Sequence, residues 1–155
     1  MSRSTFVYVS YIRTTPEKLW DALLKPEFTK QYWFGVSQVS EWKKGAPWQL
    51  VYADGRVSDT GEVVEIDKPK RLVIKWRNEL QPEMKAEGYS QCTFELDSAD
   101  GVVRLTLTHE IGATDSKFIK GISGGWPAVL SNLKSLLETG AAFTVPPALT
   151  SCNKE

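Results

Sequence analysis

The sequence has 155 residues, the size of one domain, with 41% hydrophobic and 25% charged residues, as is usual for globular proteins. Lys+Arg and Asp+Glu both number 19, so the formal net charge is zero, which argues against a general binder of nucleic acid or anionic membranes. No apolar run approaches the roughly 18 residues of a membrane span, and the alternating N-terminus MSRSTFVYVSYIRTT is unlike a signal peptide. These features predict a cytoplasmic protein.

The N-terminal segments predict a strand followed by one or two helices. Residues Thr5–Thr14 are rich in β-branched and aromatic residues, as strands are. In the following TTPEKLWDALLKPE, Thr14 or Thr15 can cap a helix, and Pro26 ends it. A second short helix is predicted over Glu27–Gln31.

The middle of the chain predicts a run of strands. Asp54-Gly55 and Asp100-Gly101 are tight-turn signals, so the strands form an antiparallel meander rather than a parallel sheet. Gly61 marks a predicted bulge inside a long strand, and a polar loop, NELQPEMKAEGY, follows the fourth of these strands. The predicted strands are Val36–Trp42, Pro47–Ala53, Arg56–Asp67, Arg71–Asn78, Ser90–Leu96 and Val102–Ile111.

The segment GISGGWPAVLSNLKSLLETG predicts a helix that ends at Gly140. Pro127 lacks an N–H and clashes with the carbonyl four residues before it, which is costly inside a helix. We therefore predict a helical turn over Ser116–Lys120, a glycine-rich break, and a long helix from Gly124 or Gly125 to about Thr139. The glycines leave room for either close packing against the sheet or the mouth of a pocket.

Four motifs in this order resemble the START-like (SRPBCC, Bet v 1-like) superfamily. They are TTPEKLWDALLKPE, GEVVEIDKPKRLVIKW, LTLTHE and GGWPAVLSNLKSLLE. Within that superfamily the sequence is most similar to the branch named for activators of the heat-shock chaperone ATPase. Gly125 and Trp126 match the Gly-Trp pair of this family.

The resemblance implies an α+β helix-grip fold in one START-like domain, residues 1–140. A curved antiparallel sheet of about six or seven strands wraps around the long C-terminal helix, with one or two short helices after the first strand. An apolar cavity often lies between sheet and helix in this superfamily. Residues 141–155 lack periodicity and are predicted to form a loosely ordered tail.

His109, the single histidine, shares a strand face with Leu105 and Leu107, which predicts that it points inward. An inward histidine is either a hydrogen-bonded core residue or a general base, because its pKa lies near neutrality. The sequence has no nucleophile elbow, nucleotide-binding loop or paired metal-binding histidines. Cys92 and Cys152 match no metal spacing and no disulfide framework. We therefore predict no catalytic set, no metal and no cofactor.

The aromatic residues are the stronger functional signal, since pockets for small molecules have apolar walls with a few polar groups. Large rings also fill ordinary cores, so both interpretations stay open for each residue. The predicted ligand-binding residues are Trp33, Trp48, Tyr52, Trp76, Phe94, His109, Phe118 and Trp126.

Three functions follow as hypotheses. The first is non-enzymatic binding of a small hydrophobic or aromatic molecule in the cavity. The second, implied by the branch, is a chaperone-cofactor or stress-response role with a chaperone as partner. The third is an enzyme of the polyketide cyclase or aromatase kind, which would need His109 with help from Tyr52, Tyr89 or Glu79. No nucleic-acid partner or membrane span is expected, and monomer and homodimer both stay open.

Overall fold

The computed structural model describes residues 3–143 and 149, and in this part of the chain it contains seven strands and four helices. The elements in chain order are β1 (Ser4–Ile12), α1 (Pro16–Leu24), α2 (Pro26–Tyr32), β2 (Ser37–Ser40), β3 (Pro47–Val51), β4 (Val57–Asp67), β5 (Arg71–Asn78), α3 (Pro82–Lys85), β6 (Ser90–Ala99), β7 (Val102–Ile111) and α4 (Lys117–Thr139). The predicted α+β helix-grip fold is confirmed. No helix of the described residues is long and apolar enough to span a membrane.

All seven strands form one antiparallel sheet in the order β1-β7-β6-β5-β4-β3-β2. This order confirms the predicted meander from β2 to β7, and it brings β1 beside β7. The tight turn at Asp100 and Gly101 places both residues at positive φ, a conformation that Asp tolerates and Gly adopts freely. The core lies between the inner face of the sheet and α4, where the inward residues of the strands are buried.

The two helices predicted after β1 are both present, and each begins at a proline. The Thr15 side chain accepts a hydrogen bond from the Lys18 N–H at 3.2 Å, and Pro16 occupies the first turn of α1. Leu19 and Leu23 lie on the face of α1 that is buried. Pro26 ends α1 and begins α2, because a proline that cannot continue one helix is well placed in the first turn of the next.

The predicted break before Pro127 is wrong, because α4 runs without interruption from Lys117 to Thr139 with this proline inside it. Ser116 caps the helix through a 3.0 Å bond from the Ile119 N–H, and Gly140 ends it at positive φ. Proline removes a backbone hydrogen bond and crowds the carbonyl four residues before it, at a cost of about 3 kcal/mol. The apolar face of α4 is buried on both sides of Pro127, from Phe118 to Leu136, so burial of a continuous face outweighs that cost.

The predicted bulge at Gly61 is also wrong. Gly61 pairs in regular register with Trp48 of β3 and Trp76 of β5, and the register shifts lie elsewhere, at Leu50/Val51 and Val63/Glu65. A Cβ atom at position 61 would lie 1.7 Å from the Lys75 carbonyl oxygen. Glycine is needed here because the backbones of β4 and β5 approach each other closely.

Most of the tail predicted over residues 141–155 lies outside the described residues, and Cys152 with it. Its first residues contact α4, where Ser135 donates to the Ala141 carbonyl at 2.9 Å and the Phe143 N–H donates to Asn132 at 2.6 Å. The division into a domain of residues 1–140 and a tail stays a prediction.

Candidate functional site

A cavity of about 570 Å³ lies between the sheet and the first half of α4, beside the segment that contains α3. Gly121 and Gly125 form part of its wall, and the two interpretations of the glycine-rich stretch are each realised at one of them. A Cβ at Gly121 would lie 3.0 Å from the Met84 side chain, so this glycine is closely packed against the α3 segment, whereas Gly125 borders open space. A Cβ at Gly125 would meet no atom within 4 Å. The cavity is lined by Trp33, Leu50, Asp59, Trp76, Asn78, Gln81, Glu83, Met84, Lys117, Phe118, Lys120, Gly121, Ile122, Gly125, Trp126 and Val129.

A single cluster of rings forms the floor of this cavity. Trp76 is its centre, with ring centroids 4.4 Å from Trp48, 6.2 Å from Trp33 and 5.6 Å from Trp126. Trp33 and Trp126 lie 5.2 Å apart. The chain contributes these rings from β3, β5, α4 and the residue that follows α2, so the cluster joins segments far apart in sequence.

The ring cluster also includes Phe94, His109 and Phe118. It therefore contains seven of the eight predicted site residues, and these take two positions. Four of them line the cavity: Trp33, Trp76, Phe118 and Trp126. The other three, Trp48, Phe94 and His109, are buried behind these rings. They pack the wall rather than face the cavity.

Tyr52 does not reach the cavity, which corrects its inclusion among the site residues. The strand was predicted to continue to Ala53, but β3 ends at Val51. Tyr52 begins the turn into β4, where its N–H donates to the Arg56 carbonyl at 2.9 Å. The Arg56 guanidinium lies over its ring at 4.9 Å from the centroid.

Three indole N–H groups of the cluster already have acceptors within the protein. Trp48 donates to the Gln38 side chain at 3.0 Å, and Trp76 donates to Asp59 at 2.7 Å. Trp126 donates to His109 Nδ1 at 3.2 Å. These three groups therefore hold the wall together, and they do not supply free donors to a ligand.

His109 is fully buried and both its ring nitrogens are engaged. Because Nδ1 accepts from Trp126, the proton of the neutral ring is on Nε2, which donates to Ser90 Oγ at 2.8 Å. Ser90 in turn donates to the Trp76 carbonyl at 2.8 Å. Burial lowers the pKa of His109 to about 3, so the ring is neutral at physiological pH. This geometry matches the core interpretation of His109, since neither nitrogen is left for a substrate.

His109 makes the stability of the fold depend on pH. Below about pH 6.5 the imidazole of the unfolded chain is protonated, whereas that of the folded protein stays neutral down to about pH 3. We therefore expect the free energy of unfolding to fall as pH decreases through this interval, by up to about 1.4 kcal/mol per pH unit. The free energy of unfolding of the wild type and of His109→Gln is measured in urea between about pH 5 and pH 7. Plotted against pH, it should rise more steeply for the wild type.

The carboxylates titrate in both proteins, so their contribution to the pH dependence cancels when the slope of His109→Gln is subtracted from that of the wild type. As a second measurement, the NMR titration of the imidazole is unambiguous, because the chain has one histidine. Equal slopes, or an imidazole that titrates near its ordinary pKa in the folded protein, would contradict the prediction.

Asp59 is the site residue that sequence reasoning missed. It lines the cavity with 5% of its surface exposed, and its carboxylate accepts from Ser58 Oγ at 2.6 Å and from the Trp76 indole at 2.7 Å. Desolvation raises the pKa of Asp59. Strand alternation could not predict its position, because Ser58 and Asp59 are adjacent and both buried beside the register shift at Leu50/Val51.

The α3 segment is fastened to α4 at the mouth of the cavity. The Glu87 carboxylate accepts from Ser116 Oγ at 2.5 Å and from the Lys117 N–H at 2.8 Å, so it caps the first turn of α4. Behind it, Glu79 pairs with Arg77 at 2.7 Å and Lys85 at 3.0 Å. The hydrogen bond from Arg77 is the main cause that lowers the pKa of Glu79 to about 2.

Within residues 3–143 and 149, no group of three or more His, Cys, Asp or Glu side chains is arranged to hold a metal ion. Cys92 is a free thiol buried in the core, and burial raises its pKa.

A seven-stranded antiparallel sheet that wraps a long C-terminal helix, with a cavity between them, defines the helix-grip class of START-like proteins. The chain belongs to the family described as activator of Hsp90 ATPase homolog 1-like protein, whose profile matches residues 13–138. A search of curated proteins finds no match.

Several solved structures share this fold. A protein from Mesorhizobium loti is 24% identical with a TM-score of 0.74, over 86% of this chain and 96% of that one. An Hsp90 activator from Plasmodium falciparum is 25% identical with a TM-score of 0.70, over 86% and 95% of the two chains. The Aha1 dimer from Colwellia psychrerythraea is 18% identical with a TM-score of 0.71, over 88% and 98%.

Proposed function

We propose that the protein binds a small hydrophobic or aromatic molecule in the cavity between the sheet and α4, without chemical conversion. The observation that carries the proposal is the cavity of about 570 Å³ with three indoles and Phe118 in its wall. This volume falls within the range of about 300–1,000 Å³ that is typical of small-molecule sites. The engaged nitrogens of His109 speak against the cyclase alternative, which relied on a free imidazole.

The proposal predicts that filling the cavity abolishes binding. Titration of N-phenyl-1-naphthylamine, a neutral apolar fluorophore, should give saturable binding to the wild type. Gly125→Leu should abolish it, because position 125 faces open space and the larger side chain would occupy the cavity. Gly125→Ala is the matched control, since it adds a single methyl group and should keep most of the affinity.

Binding to the wild type that is unsaturable, or a Gly125→Leu variant that binds as well as the wild type, would contradict this function. Circular dichroism of both variants should match the wild type, so that loss of binding is not loss of the fold.

A second candidate is stimulation of an Hsp90 chaperone ATPase. The family profile and the 25% identity to the Plasmodium falciparum activator favour it. Adding the protein to an Hsp90 should raise the rate of ATP hydrolysis above that of the chaperone alone. Stimulation that survives Gly125→Leu would assign this activity to the surface rather than the cavity, and an unchanged rate at saturation would reject it. A cytoplasmic location and the choice between monomer and homodimer stay predictions.

A further inference from the structure

The cavity wall contains one deeply buried carboxylate, that of Asp59. Its two oxygens accept hydrogen bonds from a hydroxyl and an indole, and both of these donors are neutral. A buried carboxylate is costly when no positive charge balances it, because neutral donors replace its hydration only in part. The raised pKa of Asp59 reflects that cost.

The other charges around the cavity are already balanced at its rim. Lys117 pairs with Glu83 at 3.6 Å, and Lys120 pairs with Asp115 at 2.9 Å, all with largely exposed side chains. Within the part of the chain that the structure describes, no ion pair joins Asp59 to a basic side chain. When Asp59 is ionised, the interior of the cavity therefore has a negative charge that no basic side chain balances, whereas its mouth is neutral overall.

The indoles of the cavity wall also favour a positively charged ligand. Trp33, Trp76 and Trp126 line the cavity, and the π face of an indole attracts cations. The Trp76 N–H donates to the Asp59 carboxylate, which increases the electron density of that ring. An anionic ligand would meet repulsion from both the carboxylate and the rings.

We propose that the ligand of this cavity is an organic ammonium cation with an apolar or aromatic body, whose charged nitrogen pairs with Asp59 while its body packs on the indoles. The proposal rests on the proposed binding function and adds the chemical class of the ligand.

The test compares two ligands of nearly equal shape that differ in charge, phenyltrimethylammonium and tert-butylbenzene. Each competes with N-phenyl-1-naphthylamine for the wild-type protein. The cation should displace the probe at a concentration lower by about tenfold or more, as expected for one partly desolvated ion pair with a cation–π contact. Asp59→Asn keeps the shape of the side chain and should remove most of the advantage of the cation over the neutral ligand, because only the cation–π contact remains.

A cation that competes no better than tert-butylbenzene in the wild type would overturn the inference, whether or not Asp59→Asn folds. In that case probe binding would still support the cavity function. Loss of cation and neutral binding to the same extent in a folded Asp59→Asn variant would also overturn it. If the probe itself did not bind, the proposed function and this inference would fail together.

Discussion

Replacing Gly61 with alanine is expected to destabilise the protein by about 4 kcal/mol or more, enough to prevent folding of a marginally stable domain. The added Cβ would lie 1.7 Å from the carbonyl oxygen and 2.6 Å from the carbonyl carbon of Lys75. Both are backbone atoms, so no rotamer change relieves the clash, and β4 must move away from β5. Urea unfolding, or the yield of soluble protein, measures the effect.

Gly125→Ala is the control for the same chemical change. Position 125 lies inside α4 with no atom within 4 Å of the new Cβ, and alanine favours the helix over glycine by about 0.5–1 kcal/mol. A slight gain in stability is therefore expected. A free energy of unfolding of Gly61→Ala within about 1 kcal/mol of the wild-type value would mean that β4 and β5 are not in such close contact.

Trp76→Ala is expected to cost about 3–5 kcal/mol of folding stability, the usual range for a buried tryptophan. The ring is 2% exposed and contacts the rings of Trp33, Trp48, His109 and Trp126. Its removal also deprives Asp59 of a hydrogen-bond donor in a buried environment. Equilibrium unfolding in urea should show a lower midpoint.

Trp76→Phe separates the contribution of ring packing from that of the hydrogen bond to Asp59, because it keeps an aromatic ring and removes the N–H. We expect a loss of about 1–3 kcal/mol, which should shrink when Asp59→Asn is introduced in the same protein. Phe34→Ala is a control for removal of an aromatic ring, since Phe34 is 53% exposed. A loss for Trp76→Ala no larger than that of Phe34→Ala would contradict the central place of this ring in the core.

The periodicity and turn residues of the chain were sufficient to predict its seven strands, α1 and α2, and the C-terminal half of α4, but α3 (Pro82–Lys85) lies in a segment predicted to be a polar loop. Alternation along β7 placed His109 inward because strand side chains point to opposite faces by turns, and tight-turn residues set the antiparallel order. Where local rules failed, long-range packing was the cause. Pro127 stays inside α4 since a continuous buried face outweighs the cost of the proline. Gly61 was correctly singled out, but the reason for it is a close approach of two strands.

The site was predictable only in part for the same reason. The sequence by itself determined the family resemblance, the order of strands and helices, and the supply of aromatic residues for an inner wall. Only the tertiary structure decided which rings face open space, that both nitrogens of His109 are engaged, and that Asp59 is buried beside Trp76. These features depend on contacts between residues far apart in the chain and on a register shift beside Asp59. Periodicity reports which face of an element is buried, but it does not report which residues of other elements meet that face.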